Sequence, residues 1–89
     1  MVVIDKEAFE SEAKALLLII ARALVDAQQD IDVLVTSGGS QTTLFTLRGN
    51  KADLGKLIGR QGRTASSMRV ILGAVASKYS RKAILEIEE

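Results

Sequence analysis

Between residues 5 and 27, apolar side chains recur every three or four positions, which is the spacing of an amphipathic helix. Asp5 stands where the N-cap of such a helix is expected, and acidic residues follow in the first turn. The pattern therefore predicts a first helix over about residues 5–27. We expect its core-facing stripe to consist of Phe9, Ala13, Leu16, Leu17, Ile20, Leu24 and Ala27.

The hydrophobic period falls to two after this helix, which is typical of half-buried strands. Alternation predicts one strand at about residues 31–36, and a run of β-prone residues predicts another at about 42–48. The segment 37–40 between them contains two glycines and two serines, so the strands should form an antiparallel hairpin. A further alternating run predicts a last strand at about residues 82–88.

Two further helices are predicted between the second and third strands. Asn50 can cap a short helix, and Gly59 can end it after about two turns. Apolar residues at helical spacing then continue from Ala65 to Tyr79 and predict a longer helix that runs to about Lys78. A connection through helices usually returns parallel, so the last strand should pair in parallel with the second strand.

The expected fold class is therefore α+β, in the order α-β-β-α-α-β. It combines a three-stranded mixed sheet with helices packed on one face, in a single domain over residues 1–89. The side of the second strand that faces the helices is open at this point. Either Phe45 and Leu47 or their neighbours Leu44 and Thr46 could supply the packing face.

Two glycines three positions apart, Gly59 and Gly62, frame the most distinctive stretch of the chain. Glycine lacks a Cβ, so it accepts positive φ and lets another chain approach closely. Arg60 and Gln61 between them offer a cation and amide donors. The peptide N–H groups from Gly62 to Ala65 should open a helix, where phosphate is favoured. The four loop residues alone also fit a plain tight turn between two helices.

The net charge of +1 conceals a strong separation along the chain. Residues 1–47 carry three basic and seven acidic side chains, whereas residues 48–82 carry nine basic and one acidic side chain. The last seven residues, 83–89, add three acidic ones. The basic segment contains the glycine loop, and such a patch attracts polyanions by neutralising phosphates. The alternative is an ordinary solvated surface rich in lysine and arginine.

Cysteine and histidine are absent from the sequence. Their absence excludes disulfides, zinc sites with thiolate or imidazole ligands, and a histidine general base. We therefore expect no cofactor, no metal site and no enzymatic activity. The longest apolar run, Ala15 to Ala21, is far shorter than the ~20 residues that span a bilayer. We expect no membrane association and a cytoplasmic location.

The stretch DLGKLIGRQGR, residues 53–63, resembles the signature of KH RNA-binding domains, in which an apolar pair precedes G-x-x-G. Nearly the whole chain is similar to the KhpA-like family of small bacterial single-KH proteins. The resemblance implies a type II KH fold, a loop that clamps the backbone of short single-stranded RNA, and an adjoining groove walled by Leu57 and Ile58. The expected RNA-binding residues are Lys56, Leu57, Ile58, Gly59, Arg60, Gln61, Gly62 and Arg63.

The resemblance also implies partners and a role. It favours a post-transcriptional regulator or RNA chaperone. Sequence specificity should be low, because aromatic side chains for base stacking are scarce. It further implies a homodimer and pairing with a larger Jag-type KH protein. The alternative is a KH-shaped interaction module whose partner supplies most of the RNA affinity. We expect self-association through a face of the last predicted helix, around Val70 and Ala74. Leu18 and Ile19 on the first helix mark a rival surface.

Overall fold

A computed structural model describes residues 5–89 of the chain. It contains the helices α1 (Lys6–Leu24), α2 (Leu54–Ile58) and α3 (Arg63–Lys78), and the strands β1 (Asp32–Ser37), β2 (Thr42–Arg48) and β3 (Lys82–Glu88). Short 3-10 turns lie at Gln28–Asp30, Lys51–Asp53 and Arg60–Gly62. The order α-β-β-α-α-β confirms the predicted fold class. In the described range, no helix has the length and apolar character that a membrane crossing requires.

The three strands form one mixed sheet with β2 in the centre. β1 pairs with β2 antiparallel, as the glycine- and serine-rich turn between them favours. β3 pairs with β2 in parallel, because the chain crosses over through α2 and α3 before it returns. β1 and β3 are therefore the edge strands, and β3 lies next to the helices that flank the glycine loop.

The two faces of the sheet differ in how far they are buried. Phe45 and Leu47 are fully buried and face the helices, which settles the orientation that the sequence left open. Leu85 pairs with Phe45 and is buried on the same side. On the opposite face, Leu34 and Ile84 are 48% and 49% exposed. Helices therefore cover one face of the sheet, and the amphipathic alternation of each strand explains why.

α1 supplies four buried residues to the core, as many as α3 does. The Oδ1 atom of Asp5 accepts a hydrogen bond from the N–H of Ala8 at 2.9 Å, as expected of an N-cap. The Phe9 ring packs edge-on against Phe45 and tilted against Tyr79, with both centroid distances at 5.7 Å. Because buried positions recur every four residues, α1 presents one narrow stripe to the core: Phe9, Ala13, Leu17 and Ala21.

The first helix is shorter than the sequence indicated. It ends at Leu24 instead of Ala27, and Leu24 is 40% exposed although it lies on the predicted stripe. Val25 adopts an extended conformation and is buried in its place. The N–H of Ala27 donates to the Oδ2 atom of Asp53 at 3.0 Å. An acceptor from a distant part of the chain thus replaces the helical carbonyl, and the last predicted turn does not form.

Candidate nucleic-acid interface

The loop between α2 and α3 reverses the chain through backbone conformations that favour glycine. α2 ends where the N–H of Gly59 donates to the carbonyl of Gly55 at 2.8 Å. Gly59 has φ 79° and ψ 169°, a region that is essentially restricted to glycine. Gln61 and Gly62 follow in the left-handed region, with φ of 58° and 74°. The two glycines therefore fix the shape of the turn and place Arg60 and Gln61 on its exposed tip.

The peptide groups of this loop are partly engaged within the loop itself. The N–H of Gly62 donates to the carbonyl of Gly59 at 3.0 Å, and the N–H of Arg63 donates to the carbonyl of Arg60. The sequence led us to expect that the four N–H groups from Gly62 to Ala65 would face solvent together. That expectation was wrong for two of them, because the 3-10 turn uses the first two donors internally.

The last two residues of α2 are both apolar but differ in burial. Leu57 is completely buried in the core, whereas its neighbour Ile58 is 42% exposed. The family resemblance implied that Leu57 walls a groove, but the buried side chain instead anchors α2 to the domain. Successive helical residues point about 100° apart, so only one of two neighbours can face the core. Ile58 keeps the predicted position beside the loop. The 3-10 turn before α2 is capped as expected, since the N–H of Ala52 donates to Asn50 Oδ1 at 2.9 Å.

Lys56 is bound to two carboxylates in this structure. Its Nζ atom lies 2.5 Å from Asp26 Oδ2 and 3.3 Å from Asp53 Oδ1. The hydrogen bond to Asp26, followed by that to Asp53, raises the pKa of Lys56. The hydrogen bond from the Ala27 N–H is the main cause that lowers the pKa of Asp53, and burial opposes it. The charge of Lys56 is thus compensated within the protein.

The basic segment is therefore less uniform than its composition suggested. Several of its cations lie near carboxylates, namely Arg48 with Asp32 at 3.6 Å, Lys78 with Glu12 at 3.5 Å, and Lys56 with its two partners. Among residues 5–89, Arg60 and Arg63 have no carboxylate within 4 Å. The Nη2 atom of Arg63 donates to Gln61 Oε1 at 3.4 Å. Lys51, Arg69, Arg81 and Lys82 also have no carboxylate within 4 Å among residues 5–89, so Arg60 and Arg63 are distinguished by their exposed position at the glycine loop.

Aromatic side chains lie far from this loop. The sequence has two phenylalanines and one tyrosine, and all three pack together in the core between α1, β2 and the C-terminal end of α3. The loop precedes the N-terminal end of α3, whose 16 residues span about 24 Å. Base stacking on aromatic rings is thus not offered beside the loop.

The best-defined surface depression also lies elsewhere. It has a volume of about 470 Å³ and lies at the end of the hairpin, where Gly49, Asn50 and Arg48 meet three acidic residues, Asp30, Asp32 and Glu89. Its carboxylates disfavour a phosphate chain. Cavity shape therefore does not mark the candidate interface, which is a protruding turn.

Two residues that shape the interface were missed from the sequence. Asp26 and Asp53 lie 30 and three positions from Lys56. The Asp53 carboxylate joins the end of α1 to the start of α2. Hydrophobic periodicity carries no signal for such a contact. Only the spacing between Asp53 and Lys56, at i and i+3, could have indicated part of it.

A mixed sheet covered on one face by three helices, with a glycine turn between the second and third helices, defines a type II KH domain. A comparison with protein-family models matches residues 14–87 to the KH domain of KhpA and KhpB. The chain belongs to the KhpA/KhpB family of KH domains. No solved structure matches the chain with statistical significance.

Curated relatives cover most of the chain. The RNA-binding protein KhpA of Borreliella burgdorferi is 41% identical over 68 residues, which are 76% of this chain and 82% of that protein. The RNA-binding protein KhpA of Aquifex aeolicus is 38% identical over 79 residues, or 89% of this chain and 99% of that protein. The protein of the same name from Listeria monocytogenes is 41% identical over 75 residues, or 83% and 96%.

Proposed function

We propose that this protein binds single-stranded RNA by holding the sugar-phosphate backbone against its glycine loop, Gly59 to Gly62. The proposal depends on the exposed glycine turn, which has Arg60 at its tip and Arg63 directly after it, both without a carboxylate within 4 Å among residues 5–89. The names of the curated relatives, RNA-binding protein KhpA, support the same reading. KH domains use this loop to clamp about four nucleotides.

The strand would run across α2, the loop and the neighbouring edge strand β3, which pack against one another. Arg60 and Arg63 would neutralise phosphates, and Gln61 would donate hydrogen bonds from the loop tip. Ile58, at 42% exposure, would contact bases or riboses beside the loop. Leu57 would act indirectly, since it holds α2 in place from within the core.

Recognition of this kind would depend mainly on the RNA backbone. Because aromatic rings are buried away from the loop, individual bases would find few stacking surfaces. Affinity per domain would be modest and sequence discrimination low. These properties suit a post-transcriptional regulator or RNA chaperone that engages many transcripts.

Self-association would add a second site to the same RNA. α3 carries an exposed apolar surface, with Val70 at 71% and Ile71 at 44% exposure and Ala74 exposed one turn beyond Val70. Small residues nearby, Ser67 and Ser77, would permit close approach of a second helix. We propose a homodimer through this surface. Two linked backbone sites would bind one strand more tightly than either alone.

A second candidate function is an interaction module. The same α3 surface could accept a larger Jag-type KH protein, with the partner supplying most of the RNA affinity. Carboxylates bind Lys56, so few cations beside the loop are free to bind phosphate. The resulting low RNA affinity of a single domain favours this candidate. The two candidates differ in whether the isolated protein binds RNA through the loop.

Titration of labelled single-stranded RNA with the purified protein tests the proposal. An oligonucleotide of about eight nucleotides, followed by fluorescence anisotropy at several salt concentrations, gives both affinity and its salt dependence. Two phosphate contacts predict that log affinity falls with log salt at a slope of about −1.4, at ~0.7 per contact. The same sequence as single-stranded DNA measures the contribution of the 2′-hydroxyl. Absence of binding, or a flat salt dependence, would favour the interaction module.

A further inference from the structure

The carboxylate of Asp26 binds a cation, Lys56, on the helix that leads into the glycine loop. Lys56 lies on α2, three residues before Gly59, and its Nζ atom contacts Asp26 Oδ2 at 2.5 Å. A carboxylate and a phosphate oxygen offer an ammonium group the same kind of charge-assisted hydrogen bond. The two anions therefore compete for one cation.

The two carboxylates on Lys56 are held in different ways. The side chain of Asp53 is 6% exposed, and its second oxygen accepts the Ala27 N–H at 3.0 Å. The side chain of Asp26 is 89% exposed, and Lys56 is its hydrogen-bond partner in the described part of the chain. Asp53 is thus a fixed structural partner, whereas Asp26 can rotate away into solvent.

We infer that Asp26 limits the RNA affinity of the neighbouring loop by holding Lys56, so that Lys56 contacts no phosphate in the wild-type complex. The inference rests on the proposed function. In the free protein Lys56 and its two carboxylates carry a combined charge of −1, which repels an approaching phosphate. When the Asp26 carboxylate is removed, Lys56 becomes a third phosphate-binding cation beside Arg60 and Arg63. Asp26 is therefore an affinity-setting residue that does not itself contact RNA.

The direct test replaces Asp26 with asparagine and measures binding of the same single-stranded RNA. Asp26→Asn should tighten binding about two- to fivefold, the range that an exposed ion pair is worth. The salt slope should steepen from about −1.4 to about −2.1, because one more phosphate contact forms. Thermal unfolding should stay unchanged, since the side chain is 89% exposed.

Two controls separate the release of Lys56 from a general loss of negative charge. Asp30→Asn removes the same charge from an exposed position nearby, where the carboxylate accepts a hydrogen bond from Asn50. It should change affinity by less than the Asp26 variant and leave the salt slope unaltered. In a Lys56→Gln background, Asp26→Asn should give no larger gain than Asp30→Asn does.

An Asp26→Asn protein that binds no more tightly than the wild type would overturn the inference, as would an equal gain in the Lys56→Gln background. These results leave the proposed function standing if the wild type binds RNA and Arg60→Asp with Gln61→Asp abolishes that binding. If the wild type shows no loop-dependent binding, the proposed function fails and the inference fails with it.

Discussion

Gly59 lies so close to Thr64 that no other residue fits at its position. A Cβ atom built on Gly59 would be 2.2 Å from Thr64 Oγ1, 2.6 Å from Thr64 Cβ and 2.7 Å from the Thr64 backbone nitrogen. The last atom belongs to the first turn of α3 and cannot rotate aside. The start of α3 is therefore packed against the glycine that ends α2, and this contact sets the geometry of the loop.

Replacing Gly59 should damage the loop and RNA binding together. Gly59→Val combines the steric overlap with a positive φ of 79°, which β-branched residues avoid. We expect a loss of about 2 kcal/mol or more in unfolding free energy, within the range for strained backbone and overpacking. Urea unfolding and RNA titration measure the two effects. A Gly59→Val protein with native stability and full binding would contradict the geometry.

Gly55 offers a matched control in the preceding helix. A Cβ at Gly55 meets nothing within 4 Å in the described structure, and its φ is not positive. Gly55→Ala should therefore keep or raise stability, by up to about 1 kcal/mol from helix propensity. If this change destabilised the protein as much as Gly59→Val does, crowding at Thr64 would not be the cause.

Arg63 and Arg69 should separate into a binding cation and a structural one. The Nε and Nη2 atoms of Arg69 donate to the Leu85 carbonyl at 3.3 and 3.2 Å, so this guanidinium ties α3 to β3. Arg69→Gln should lower the unfolding free energy by about 1–2 kcal/mol and leave the RNA salt slope unchanged. Arg63→Gln should do the reverse, with unchanged stability and a slope shallower by about 0.7. Chemical denaturation and salt-dependent RNA titration of both variants measure the two effects. A stability loss for Arg63→Gln together with a shallower slope for Arg69→Gln would contradict the assignment.

Asp53 should make the stability of the domain depend on acidic pH. Its pKa is lowered in the folded state, chiefly by the hydrogen bond from the Ala27 N–H. Its contribution is therefore complete above the unfolded pKa of about 3.9 and is lost as pH falls through the lower folded value. Asp53→Asn should flatten this acid limb and lower stability near neutral pH.

The corresponding measurement is urea unfolding of the wild type and Asp53→Asn at a series of pH values from about 6 to 3. Asp30→Asn is a suitable control, because the Asp30 carboxylate is exposed. Parallel stability curves for the wild type and Asp53→Asn would show that the buried carboxylate does not contribute in the way described.

The proposed dimer can be tested on the outer face of α3. Ala74→Arg places a charged side chain on that exposed face, next to the helix turn that carries Val70. It should shift the protein toward monomer in light scattering while the circular dichroism stays native. Ile19→Arg, at a residue 67% exposed on α1, tests the rival surface. A dimer that survives Ala74→Arg but dissociates with Ile19→Arg would transfer the interface to α1.

Periodicity predicted most of the fold because each element buries one regular face. The alternation of β1 and β3 and the four-residue stripe of α1 are local patterns that appear directly in the sequence. The end of α1 could not be predicted, since the acceptor for the Ala27 N–H comes from Asp53, which is 26 positions away. The face of β2 that packs against the helices could not be predicted either, because it depends on where the helices lie.

The loop was predictable as a turn, but the ion pairing and burial of the residues around it were not. Two glycines indicated positive φ, and the structure has φ of 79° and 74° at those positions. The sequence ranked Lys56 with Arg60 and Arg63 as a phosphate-binding cation, yet Asp26 and Asp53 hold its amino group. Likewise, α2 is only five residues long, so its pattern could not show that Leu57 rather than Ile58 enters the core.

Two matched charge changes, one on the loop and one on α1, test whether RNA binds through the glycine loop. Arg60→Asp with Gln61→Asp lowers the net charge of the loop tip by three, and Lys6→Glu with Ser11→Glu lowers the net charge by the same amount at exposed positions of α1. That half of α1 packs near the C-terminal end of α3, since Glu12 lies 3.5 Å from Lys78, so it is remote from the loop. Both proteins should keep native circular dichroism.

In titrations with single-stranded RNA, the loop variant should bind at least about tenfold more weakly than the wild type, because two carboxylates would face phosphates at close range. The α1 variant should lose much less affinity, since its added charges are more than a Debye length of about 8–10 Å from the loop. Equal affinities for the loop variant and the α1 variant would contradict RNA binding through the glycine loop.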